Sequence, residues 1–255
     1  MNICAENKAV GLDVRNFLIH VPNVNEESIT DYLVWKWEEI NDAAKFRCLN
    51  VGKFTRQDEH DRTGADFELE LWILSPQPPI SLIFQAKKFT EETQGYVSKL
   101  KYPNNTKYQL DTLLKYADDP KHKRKPFYMI YSPADAQTKT GCANCNNNET
   151  GMYMIEAKTI EKFANLPPHS RLSLTEILAE SLPFHCMFCC SMNLHEYFAR
   201  FFSTENQTEQ VFPSENPLPR YVKDMLSGEL NSDNNYELPP ARWVAVYDTR
   251  FEREE

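Results

Sequence analysis

The amino-acid sequence predicts an α/β fold, on three observations. Two consecutive segments alternate apolar and polar residues, other segments repeat apolar residues every three or four positions, and the two kinds interleave along the chain. The 255 residues suit a single domain, 1–255, with its own core.

Ser28 to Ile40 is predicted to be a helix, because Ile29, Leu33, Trp37 and Ile40 recur at helical spacing and Ser28 with Asp31 resembles an acidic capping box. Glu27 then falls just ahead of that helix. Thr55 to Gly64 is polar and reads as a loop. From Asp66 to Ile73 the pattern alternates: Phe67, Leu69, Leu71 and Ile73 on one face, Asp66, Glu68, Glu70 and Trp72 on the other. Three prolines in Ser75 to Pro79 end that strand and reverse the chain. A second strand follows, with Ile80, Leu82, Phe84 and Ala86 facing one way and Ser81, Ile83, Gln85 and Lys87 the other. An antiparallel hairpin centred near Gln77 brings Asp66 opposite Lys87 or Lys88. A carboxylate, an amide and an ammonium would converge at its open end.

Further along, Thr106 to Ala117 reads as a helix with Gln109 near its start, and Phe127 to Tyr131 as a strand introduced by Pro126. Gly151 to Ile155 is a predicted strand and Thr159 to Ala164 a short helix. Ser173 and Glu176 form a capping box opening a helix over Leu174 to Ser181. Leu194, Phe198, Phe201 and Phe202 outline another helix, the stretches 203 to 218 and 228 to 238 read as loops, and Arg242 to Asp248 is the last strand. No internal repeat is present.

Hydrophobic residues at 41% and aromatics at 12% exclude wholesale disorder. No run of 18 apolar residues occurs, and Met1 to Val10 lacks the charged and apolar regions of an export signal. A soluble, cytoplasmic protein without a membrane span is expected. The net charge of -9 argues against non-specific coating of nucleic acid, although Lys88, Lys99, Lys101, Lys107, Lys115, Lys121, Lys123 and Arg124 concentrate positive charge in one window. No glycine-rich phosphate loop or spaced histidine set is present, which argues against ATP hydrolysis and against a cysteine nucleophile.

The hairpin chemistry suits phosphodiester cleavage. Asp66 and Glu27 are the anionic candidates for holding Mg²⁺ or Mn²⁺, Gln85 adds a neutral oxygen, and Lys87 can orient the attacking water and offset phosphate charge. Glu27, then Gly64-Ala65-Asp66, then Gln85-Ala86-Lys87, then Gln109 resembles the order of helix Glu, strand Asp, strand (D/E/Q)-x-K and helix Gln of the PD-(D/E)XK, or restriction-endonuclease-like, nucleases. The QxK variant found among bacterial defence nucleases is the most similar. The resemblance spans residues 25 to 131, with 132 to 255 as an elaboration. It implies an α/β/α core with a mixed central sheet, Mg²⁺ dependence and DNA as substrate, with Gln109 and Lys88 placing the backbone. A homodimer or an activating partner is compatible with it, and a silent module binding nucleic acid or protein is the alternative. Gln85 departs from the commonest pattern by replacing an acidic ligand.

Glu156-Ala157-Lys158 with Asp135 upstream is a rival E-x-K, but no clean hairpin would join them. Seven cysteines without an export signal point to thiols or metal ligands rather than a disulfide framework. The pairs Cys142/Cys145 and Cys186/Cys189 have the spacing of a structural Zn²⁺ site, with His185 and Cys190 as spare ligands, and Cys4 and Cys48 need no role.

Overall fold

The computed structural model describes residues 2–44, 49–54, 67–90, 93, 95–100, 103–104, 107–118, 123–134, 139–142, 150–167, 170, 172–189, 217–229 and 241–251. Asp66, Asp135, Cys145, Cys190 and the predicted helix Leu194–Phe202 lie outside these residues.

In chain order the elements are α1 (Ile3–His20), α2 (Glu26–Ala44), β1 (Leu49–Lys53), β2 (Phe67–Leu74), β3 (Ile80–Lys88), α3 (Tyr96–Leu100), β4 (Pro103–Asn104), β5 (Lys107–Tyr108), α4 (Gln109–Ala117) and β6 (Arg124–Tyr131). There follow β7 (Met152–Glu156), α5 (Ala157–Ala164), α6 (Leu174–Ala179), β8 (Leu182–Pro183), α7 (Cys186–Cys189), α8 (Arg220–Ser227) and β9 (Ala241–Asp248). Seven strands form one mixed sheet in the order β1-β9-β2-β3-β6-β7-β8, while β4 and β5 pair separately. The contacts β2/β9 and β3/β6 are parallel and the other ladders antiparallel.

Side chains that alternate along the strands bury two faces. Leu69, Leu71, Ile73, Leu82, Phe84, Ala86, Phe127, Met129 and Ala245 pack with Val14, Leu33 and Trp37 of α1 and α2. Ile83, Tyr128, Ile130, Tyr153 and Ile155 pack with Leu110, Leu113, Ile160 and Ile177 of α4, α5 and α6. On that second side, Trp72, Val244 and Val246 meet Tyr221, Val222 and Met225 of α8. Helices therefore cover both faces of the sheet. Each fully buried Leu, Ile or Phe contributes roughly 1.5–3 kcal/mol, so the two layers rather than helix propensity hold these short elements.

The hairpin register is Leu69 opposite Phe84 and Ile73 opposite Ile80, within the range that the sequence predicts. Its first turns of alternation differ, however. Phe67 packs in the α4 cluster and Leu69 in the α2 cluster, so the face changes at Glu68. Glu68 and Glu70 consequently point to different sides.

The C-terminal strand is no appendage. β9 runs between β1 and β2, parallel to β2 from Phe67↔Ala241 to Leu74↔Asp248, and is buried along most of its length. This corrects the division into a 25–131 core and a 132–255 elaboration, since pairing across such a sequence gap leaves no local pattern. α1, unlike β9, is an element that the sequence pattern does not announce. It crosses the start of β7, where Gly151 N–H donates to Gly11 O at 2.8 Å and an added Cβ would meet Arg15 N at 2.6 Å. Only glycine allows that approach.

Candidate active site

Gln85 and Lys87 flank Ala86, whose methyl packs in the α1/α2 cluster, so strand alternation turns both polar side chains to the other face. There Lys87 Nζ donates to Gln109 Oε1 at 2.7 Å. Gln109 is the first residue of α4 and only 7% exposed, which fixes the acceptor. The structure thus joins two residues that the sequence singles out separately, the strand lysine and the helix glutamine. Gln85 is 3% exposed; its Nε2 makes one long contact to Ala86 O at 3.4 Å. Its Oε1 is buried with no hydrogen-bond partner among the described residues. Leaving such an atom unmatched costs about 1–3 kcal/mol, and a hard amide oxygen of this kind suits Mg²⁺.

Glu27 sits in the first turn of α2 rather than before it, because the helix starts at Glu26. The cap is Asn25: its Oδ1 accepts from Ser28 N at 2.9 Å, in place of the predicted Ser28/Asp31 box. Glu26 Oε1 accepts from Lys88 N at 3.0 Å, and Lys88 Nζ donates to Pro22 O at 2.6 Å and Val24 O at 2.7 Å. These bonds staple the N-terminus of α2 to the end of β3 and bring Glu27 to the sheet end that carries Lys87. Lys88, expected from the resemblance to place the substrate backbone, gives its ammonium to these two loop carbonyls in the structure.

Three residues not anticipated as site residues gather beside Glu27. Arg242 Nη2 donates to Asp31 Oδ2 at 2.6 Å, and Arg242 Nη1 lies 3.7 Å from both Glu27 Oε2 and Glu68 Oε2. Glu68 is nearly buried. Alternation alone could not single it out, because it groups Glu68 with Glu70, from which the change of face separates it. Among the described residues no group of three or more His, Cys, Asp or Glu is arranged to hold a metal.

The rival motif is an ordinary strand-to-helix junction. Glu156 ends β7 opposite Phe127 and precedes α5, and Lys158 is exposed. Burial pushes the Glu156 carboxyl above the usual range against the opposing pull of Lys158, Lys125 and Lys162.

The cysteines depart from expectation. Cys4 of α1 and Cys189 of α7 form a disulfide across a sequence separation of 185. Cys189 is thereby taken out of the zinc set, and Cys4 acquires a role that no local spacing announces. Gly141 N donates to Ser181 O at 2.7 Å, and half-buried Cys142 packs against the same large apolar cluster that contains buried Cys186. His185 is fully buried, and neither ring nitrogen has a hydrogen-bond partner among the described residues.

The basic window is not uniformly a surface. Arg124 is 4% exposed and its Nε donates to Glu70 Oε1 at 2.7 Å, while Tyr221 OH donates to Glu70 Oε2 at 2.7 Å. Burial alone would depress the Arg124 guanidinium, and the adjacent Glu70 charge more than reverses this. No helix among the described residues is long and apolar enough to cross a membrane.

A family described as "Family of unknown function (DUF6615)" matches residues 3–252 of the chain. No curated protein and no solved structure matches.

Proposed function

We propose that this chain, which belongs to the DUF6615 family, is a metal-dependent nuclease that hydrolyses phosphodiester bonds in DNA on a restriction-endonuclease-like α/β/α core. The observation that carries the reading is the end of β3, where Lys87 is locked onto Gln109 beside the orphaned buried oxygen of Gln85. Glu27, Asp66 and Gln85 would hold Mg²⁺ or Mn²⁺, which when bound supplies charge neutralisation on the phosphate and lowers the proton affinity of a bound water. The Lys87 ammonium would orient the attacking water and offset the charge developing on the phosphate. Gln109 fixes the direction of that ammonium. The sequence resemblance adds a role in bacterial defence to the proposal.

A second reading, a nuclease-like module that binds nucleic acid or protein without cutting, is favoured by one observation. The Arg242 guanidinium already supplies positive charge between Glu27 and Glu68. Metal binding separates the two. Calorimetric titration with Mn²⁺ should show binding by the native chain that Asp66→Asn and Gln85→Ala each weaken at least tenfold; a native chain that takes up no Mn²⁺ would favour the silent module.

A further inference from the structure

Phe67 pairs with Ala241 and Leu69 with Trp243, so Glu68 and Arg242 lie side by side on parallel neighbours, at the point where the alternation of β2 changes face. Asp31 anchors the guanidinium. Its Oδ2 accepts from Arg242 Nη2 at 2.6 Å and its Oδ1 from Trp243 Nε1 at 2.8 Å, so consecutive residues of β9 grip both oxygens of one α2 carboxylate. The other terminal nitrogen, Nη1, is buried without a hydrogen-bond partner among the described residues and stands 3.7 Å from Glu27 and 3.7 Å from Glu68. It serves as a positive charge placed between two carboxylates rather than as a donor to either. One guanidinium thus faces three carboxylates.

We propose that Arg242 is a positioning residue that holds the Glu27 carboxylate, with Glu68 facing it, in the arrangement that receives the divalent cation. The inference rests on the reading of Glu27 as a metal ligand. Without the guanidinium, Glu27, Asp31 and nearly buried Glu68 lose the positive charge they share and repel one another. Lysine at this position carries the charge but lacks the fork that spans Asp31 and the two glutamates.

Mn²⁺ affinity, measured by calorimetry alongside urea unfolding, tests this. Arg242→Gln should weaken Mn²⁺ binding roughly ten- to a hundredfold, as loss of an orienting partner does, with Arg242→Lys recovering part of it. Asp31→Asn, which frees the anchor and leaves the guanidinium in place, should weaken binding several-fold, and it decides the matter if Arg242→Gln does not fold. Native or tighter Mn²⁺ binding in a folded Arg242→Gln chain, or in Asp31→Asn, overturns the positioning role while leaving the metal site standing. A native chain that binds no Mn²⁺ overturns both.

Discussion

Lys87 donates to Gln109 at 2.7 Å, joining the penultimate residue of β3 to the first residue of α4 across 22 positions of sequence. Removing the acceptor should leave the fold intact and the ammonium misdirected. Gln109→Ala is expected to lower the single-turnover cleavage rate about ten- to a hundredfold with substrate affinity nearly unchanged. A change in affinity alone would make Gln109 a substrate contact instead.

Glu70 and Arg124 form a buried ion pair, completed by Tyr221 OH at 2.7 Å and by the Tyr116 ring, whose centroid lies 4.9 Å from the guanidinium carbon. Breaking one partner strands the other charge in the core. Arg124→Met should cost about 3–5 kcal/mol in urea unfolding, and the double replacement Glu70→Leu/Arg124→Met should recover much of that loss. Equal losses in single and double variants would show that packing, not the stranded carboxylate, sets the cost.

The Cys4–Cys189 disulfide closes a loop of most of the chain. Cys4→Ser, or reduction with a dithiol, should destabilise the protein by about 2–5 kcal/mol, mainly by enlarging the unfolded ensemble. Matching unfolding midpoints with and without reductant would contradict this.

Burial raises the Glu156 carboxyl, so the folded chain binds that proton more tightly than the unfolded one. The stability this contributes is present below the ordinary glutamate range and is lost as pH rises through the raised value. Glu156→Gln should therefore raise the melting temperature at pH 7, by on the order of a few degrees at most, and change it little near pH 4. A variant that melts lower at pH 7 would reverse the sign.

Where strand pattern and local turn chemistry decide the structure, the sequence was legible. The β2/β3 hairpin, its register and the Ser173/Glu176 capping box all follow from spacing. α1 escaped notice because a polar residue interrupts its buried face: Asn7 is fully buried, donating to Ile3 O and accepting from Trp37 Nε1. β1 is an edge strand containing Asn50, Gly52 and Lys53, a composition that reads as loop. β6 begins two residues before Pro126, which is tolerated because the β7 ladder starts only at Phe127. Strict alternation placed Glu68 with Glu70; the change of face at Glu68 turns it instead toward Arg242. Arg242 and Cys189 find their partners across distances that periodicity does not encode.

The most direct measurement is cleavage of supercoiled plasmid in Mg²⁺ or Mn²⁺ by the native chain and Lys87→Ala, with DNA binding measured in parallel. The account predicts metal-dependent cutting by the native chain and a loss of about 10²–10⁴-fold in Lys87→Ala, with DNA binding kept. A native chain that binds DNA but cuts it with neither metal, or a Lys87→Ala chain that cuts at the native rate, would contradict it.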